Sequence, residues 1–151
     1  KQEVNDMEDI KILLVDDEED FVTTLSERLG LRDLSSQVAL GGFEAMREMD
    51  DSEPDVMVLD LKMPGIDGME VLRQVRKNFP AIQVIIQTGH GSDREEAEAW
   101  RLGVFDYLKK PVDIELLAER IRAAAQAKKK MEGNIATATA GLAVGSEATG
   151  G

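Results

Sequence analysis

The 151-residue chain has no cysteine, a single histidine and no apolar run long enough to cross a bilayer. Without cysteine, neither a disulfide framework nor thiol chemistry can hold or run the molecule. One histidine, His90, is a poor basis for a histidine metal site or for a phosphohistidine within the chain itself. A membrane helix needs about 20 apolar residues, and the acidic N-terminal stretch is unlike a secretory signal. A cytoplasmic domain with no membrane contact is therefore expected. Basic charge is scarce as well: 18 Lys and Arg stand against 30 Asp and Glu, a formal net charge of −12. Phosphate-backbone binding wants basic patches, so nucleic acid is disfavoured as a direct partner. Cations and basic protein surfaces suit the charge better.

What is present is a strict alternation of short apolar runs and amphipathic stretches. Val56-Met57-Val58-Leu59 is a continuous apolar run that ends abruptly on Asp60, the pattern of a strand buried on both faces of a parallel sheet. Similar strands are expected over residues 10–15, 36–40, 84–86 and 104–108. Helical spacing follows each one: Phe21, Val22, Leu25 and Leu29; then Ala45, Met46 and Met49; then Met69, Leu72 and Val75. Ser92-Asp93 opens a fourth helix that runs past Trp100, and Asp113 caps a fifth carrying Ile114, Leu117 and Ile121. Met46, Met49, Met63 and Met69 read as core or loop packing. Five β-α units in alternation imply an α/β fold: a doubly wound, five-stranded parallel sheet with helices on both faces. The expected organisation is an acidic lead over 1–9, one domain over 10–130, and a patternless, flexible Gly/Ala/Thr-rich tail over 131–151. The residues after Lys128 are too few for a further domain, so a stand-alone protein and a piece of a longer one both stay open.

Ligands of open α/β sheets bind beyond the carboxyl ends of the strands, at the switch point. Asp16 and Asp17 follow the first strand and Asp60 the third. By themselves Asp16 and Asp17 read as a solvated turn and helix start. With strand order 2-1-3-4-5, however, the first and third strands are neighbours, and all three carboxylates meet in one crevice. Crowded like charges oppose one another's ionisation. Lys110, after the fifth strand, offsets one charge and a divalent cation would balance the rest. Oxygen-only ligands point to Mg²⁺, which keeps several waters and favours phosphate as a further ligand.

Four motifs carry a resemblance: Leu-Leu-Val-Asp-Asp-Glu over 13–18, Leu-Asp-Leu-Lys-Met-Pro-Gly-Ile-Asp-Gly over 59–68, Thr88-Gly89, and Tyr-Leu-Lys-Lys-Pro over 107–111. In this order and spacing the chain resembles the receiver domain of two-component response regulators, with flavodoxin-like topology. The wording of residues 103–111 leans towards nitrogen-regulator receivers. The resemblance implies that Asp60 accepts a phosphoryl group from a sensor histidine kinase. It makes Asp17 a direct Mg²⁺ ligand, Asp16 an assistant through water, and Asp60 with the Lys62 backbone carbonyl the remaining protein ligands. It further implies that Lys110 pairs with the acyl phosphate and that Thr88 follows a phosphoryl oxygen. Tyr107 would be the aromatic switch residue, which turns into space opened behind Thr88, and Pro111 would follow a cis bond. Lys62 and His90 take two variable positions beside the phosphoryl group, where they would tune its lifetime. The output would be a change of protein contacts, to an unknown target or a second copy. It would use the face of the fourth helix, fifth strand and fifth helix, with Arg94, Trp100, Arg101 and Ile114 as candidate contacts.

Tyr107 reads equally well as a core aromatic, and Thr88 as an ordinary β-branched strand residue. Rival functions also stand beside the switch. A flavin-binding electron carrier of the same fold would want a Ser/Thr/Gly-rich loop where residues 16–20 are acidic. A Mg²⁺-dependent phosphohydrolase would want Asp-x-Asp after the first strand. A receiver-like interaction module free of phosphorylation would not need the acids with Thr88 and Lys110.

Overall fold

The computed structural model describes residues 9–150, with side chains described to residue 135. Residues 1–8 of the expected acidic lead, and Gly151, lie outside the described residues. The elements are β1 (Ile12–Val15), α1 (Glu19–Gly30), β2 (Ser36–Ala39), α2 (Gly42–Asp51), β3 (Val56–Leu59), α3 (Gly68–Asn78), β4 (Gln83–Thr88), α4 (Asp93–Arg101), β5 (Asp106–Lys109) and α5 (Ile114–Gly150). All strand pairs are parallel, in the order β2-β1-β3-β4-β5. The doubly wound topology expected from the alternation is the one observed.

Strand residues alternate between two cores because successive side chains point to opposite faces. Leu13, Val15, Met57, Leu59, Val84 and Ile86 pack under α2, α3 and α4. Ile12, Leu14, Val56, Val58 and Ile85 pack under α1 and α5. Residues buried on both faces explain why these strands read as unbroken apolar runs. The exception is β2, an edge strand with only Ala39 fully buried.

Helix starts are set by side chains that satisfy free N–H groups. Asp67 accepts from the Glu70 N–H at 3.0 Å on α3, and Asp113 accepts from the Leu116 N–H at 3.0 Å on α5. Ser92 and Glu95 form a reciprocal capping box on α4. Gly68 is required by close approach: a Cβ there would run into the backbone of Asp60 and Leu61. The loop after β3 is thus pressed against α3. Arg76 of α3 donates to the carbonyls of Leu102, Pro80 and Ile82 at 2.9–3.1 Å, pinning the chain that enters β4 and β5.

Two expectations change here. Ile114, a candidate surface contact, is buried in the core shared with α1, because α5 lays its apolar stripe of Ile114, Leu117 and Ile121 on the sheet. The stretch from 131, expected as a patternless tail, continues α5 to Gly150. Alanines at 136, 138, 140, 143 and 148 favour that extension, whereas glycines at 133, 141, 145 and 150 oppose it. Where α5 leaves the sheet, Lys128 pairs with Asp55 at 3.0 Å and Glu132 at 2.6 Å.

Candidate functional site

Sheet register brings the acids together. Val15 and Leu59 are partners across β1 and β3, so the next residues, Asp16 and Asp60, stand side by side past the strand ends. The Asp60 N–H donates to the Val15 carbonyl at 3.0 Å, and the Asp16 N–H to that of Ala39 at 3.1 Å. Carboxylate oxygens of Asp16, Asp17 and Asp60 lie within 4.8 Å of one another. Asp16 and Asp60 are buried and Asp17 is exposed at the rim. Burial, above all, lifts the Asp16 carboxyl above its ordinary range; its bond from Lys110 opposes the rise, and nearby Asp60 adds to it.

Lys110 enters from the end of β5, placed by its own N–H donating to the Thr88 carbonyl at 2.9 Å. Its ammonium is 2.8 Å from Asp16, 2.9 Å from Glu18 and 3.5 Å from Asp60. It also lies 4.3 Å from the centre of the Phe21 ring. Burial alone would lower the Lys110 pKa, yet the hydrogen bonds to Asp16 and Glu18 and the field of Asp60 outweigh it and hold the pKa raised. Glu18 is pulled below the usual carboxylate range, chiefly by its hydrogen bond with Lys110. Glu18 and Phe21 are the residues that sequence reasoning missed here. Glu18 sits at the N-cap of α1 but its carboxylate makes no cap, reaching back to Lys110 instead. In an unbroken acidic run nothing marks which member turns inward. The Lys110–Pro111 peptide is cis, as expected.

Thr88 is buried at the end of β4, and its Oγ1 accepts from the His90 N–H at 3.3 Å. The hydroxyl proton is then free to point at another acceptor. His90 itself is exposed. Lys62 donates its backbone N–H to Asp60 Oδ1 at 3.3 Å, while its side chain crosses to Glu95 of α4 at 3.0 Å. Tyr107 is already turned inward and only 8% exposed. Its hydroxyl abuts Gly91, where a Cβ would collide with it, and has no hydrogen-bond partner among the described residues. Burial first, then the fields of Glu96, Glu95, Asp60 and Asp93, raise the pKa of this phenol.

Around the site, Lys109 reaches Glu96 at 3.8 Å and Arg120 reaches Asp106 at 2.8 Å, tying α4, β5 and α5 into one face. Arg94, Trp100 and Arg101 of α4 are exposed. A cleft of about 380 Å³ opens at the opposite end of the sheet beside Ile10, Ser36 and Pro54, and holds none of the site residues. The acid crevice offers carboxylate oxygens, two of the carboxylates being buried, and three acids surround Lys110. That donor set suits a small, hard divalent cation that keeps waters for a phosphate to replace. A buried carboxylate and an ammonium beyond neighbouring strand ends, with the Thr88 hydroxyl at the end of β4, are residue types that positioning and neutralising a phosphoryl group would use.

Comparison with known proteins agrees with this geometry. The profile of the response regulator receiver domain matches residues 12–122. The chain is 34% identical over 104 residues to the DNA-binding transcriptional regulator NtrC of Escherichia coli (strain K12), covering 69% of this chain and 22% of NtrC. It is 35% identical over 114 residues to the response regulator MprA of Mycobacterium sp. (strain KMS), covering 76% of this chain and 50% of MprA. The chain thus spans between about a fifth and a half of the length of these curated relatives. A solved response regulator receiver domain protein from Clostridium thermocellum superposes with a TM-score of 0.76 at 34% identity, over 81% of this chain and 98% of that one.

Proposed function

The chain belongs to the response regulator receiver domain family, and on that footing we propose that Asp60 is the phosphoacceptor of a Mg²⁺-dependent switch. The observation that carries this reading is the convergence of Asp16, Asp17 and Asp60 with Lys110 at the switch point of the sheet, with Thr88 buried at the end of β4. The phosphodonor is the phosphohistidine of a sensor kinase. An Asp60 oxygen attacks phosphorus, the P–N bond breaks, the imidazole leaves with the electron pair, and an aspartyl phosphate forms. Asp17, Asp60 and the Lys62 carbonyl would hold Mg²⁺, with Asp16 assisting through water, and the ion would neutralise phosphoryl charge.

The protein's task in such a transfer is positioning and charge, because the chemistry makes few covalent demands. The Lys62 N–H fixes one Asp60 oxygen and leaves the other towards Lys110. Lys110 leaves Asp16 and Glu18 for the new phosphoryl oxygens, and the Thr88 hydroxyl donates to another. Lys62 and His90, beside the group, set how readily water reaches it and hence its lifetime. Moving a two-state switch from mostly off to mostly on takes about 5.5 kcal/mol. Charge-assisted hydrogen bonds contribute about 1.5–3 kcal/mol each, so the contacts of Lys110 and Thr88 are of the right size.

The domain is a signalling switch. It turns over only its own phosphoryl group, acts in the cytoplasm, and comprises residues 10–130 with 131–151 as an appendage. Thr88, Tyr107 and Pro111 carry the change to the α4-β5-α5 face, where Arg94, Trp100 and Arg101 meet a downstream protein or a second copy. The test is incubation with acetyl phosphate and Mg²⁺ followed by intact mass measurement. Wild type should gain one phosphoryl group and Asp60→Asn none; equal gain in both overturns the assignment.

A further inference from the structure

A signal leaving Asp60 must travel through something that is not already at its end point. Tyr107 is inward and buried while Asp60 is unmodified, so an inward turn of its ring is not the whole of the signal. A second connection runs through the loop after β3. The Lys62 backbone N–H rests on Asp60 Oδ1 at 3.3 Å, and the Lys62 ammonium lies 3.0 Å from Glu95 Oε2 on the first turn of α4. The same carboxylate caps that helix: its other oxygen accepts from the Ser92 N–H at 3.1 Å, while Ser92 Oγ accepts from the Glu95 N–H at 3.1 Å. One side chain therefore both starts α4 and holds the lysine two residues from the reacting acid.

We propose that Lys62 is a two-position lysine: paired with Glu95 while Asp60 is unmodified, and drawn to the phosphoryl oxygens once they are added. The first turn of α4 then reads the state of Asp60 directly, beside the route through Thr88 and Tyr107. The inference rests on Asp60 being the phosphoacceptor. Three features favour the exchange. The backbone of Lys62 already touches the reacting carboxylate, so its four-carbon stem needs only to fold back. The pair with Glu95 is solvent-exposed, with side-chain exposures of 46% and 26%, and exposed pairs are weakly held. A phosphoryl group offers three strong acceptor oxygens and more charge than one carboxylate.

Glu95→Gln is the informative variant, because glutamine at this position still serves the capping box while losing the charge that holds Lys62. Lys62→Met removes the moving charge and keeps the backbone. The experiment adds beryllofluoride with Mg²⁺ to the full chain. It follows the ¹⁹F signal of the bound mimic, its affinity, and the amide shifts of Ser92, Arg94 and Glu96. Wild type should bind and shift these amides. Glu95→Gln should bind about two- to fivefold more tightly, the range an exposed pair supports. Lys62→Met should bind about two- to fivefold more weakly and lose most of the α4 response. A full α4 response in Lys62→Met, or unchanged affinity in Glu95→Gln, overturns the exchange while leaving Asp60 as phosphoacceptor. No bound ¹⁹F signal in wild type overturns both.

Discussion

A methyl group placed at Gly91 forces a choice on Tyr107. It would fall on the Tyr107 hydroxyl, and would lie 3.2 Å from Tyr107 Cζ and 3.1 Å from Thr88 Cγ2. The hydroxyl is the far end of a side chain with two torsions, so the ring swings out before the backbone yields. Expelling an aromatic that buries about 150 Å², at about 25 cal/mol per Å², gives up at most about 4 kcal/mol. Two effects offset this. The hydroxyl is buried without a partner, and its return to water recovers about 1–3 kcal/mol. Replacing glycine also reduces the freedom of the unfolded chain, worth about 0.4–1 kcal/mol. Gly91→Ala should therefore destabilise by about 1–2 kcal/mol and expose the ring. Tyr107→Phe removes the colliding atom and should be neutral or stabilising by up to about 1 kcal/mol. In that background Gly91→Ala should cost far less, a coupling of about 1 kcal/mol. Urea unfolding of the four proteins reads the energies, and ring proton shifts of the sole tyrosine read its exposure. Additive effects with a ring that stays buried would refute the reasoning.

Arg76→Met strips their donor from the carbonyls of Leu102, Pro80 and Ile82, and should lower stability by about 2–4 kcal/mol in urea unfolding; a loss under about 0.5 kcal/mol contradicts the pinning role. In spectrophotometric titration Tyr107 should ionise above the ordinary phenol value of 10.0. The unfolded chain then loses this proton first, so the contribution is complete below about pH 10 and is lost as pH rises through the folded value. A midpoint at or below 10.0 would contradict the burial argument. Thr88→Ala should still accept a phosphoryl group on Asp60 yet show weaker amide shifts across residues 93–122; an undiminished response means the Thr88 hydroxyl carries none of the signal.

Much of this was legible because buried parallel strands leave a plain mark. Val56-Met57-Val58-Leu59 and Ile12-Leu13-Leu14-Val15 are apolar throughout since helices cover both faces, and their order follows from the alternation. Asp16 and Asp60 could be paired from sequence because adjacent strands end together. Side chains that reach across elements were not legible. Glu18 sits among five consecutive acids, and only the position of β5 decides that it meets Lys110. Lys62 and Glu95 are 33 residues apart and join only because the loop after β3 is pressed near α4. Ile114 looked like a surface contact since its place on the α5 stripe depends on which side of the helix faces the sheet. The inward Tyr107 is a rotamer, and strand periodicity is silent on rotamers.

The central claim is that one carboxylate, Asp60, takes the phosphoryl group. Borohydride reduces an aspartyl phosphate to homoserine, which peptide mass spectrometry locates to a single residue. After treatment with acetyl phosphate, the account predicts homoserine at position 60 alone, formed only when Mg²⁺ is present. Homoserine at Asp16 or Asp17, or equal conversion at position 60 without Mg²⁺, would contradict it.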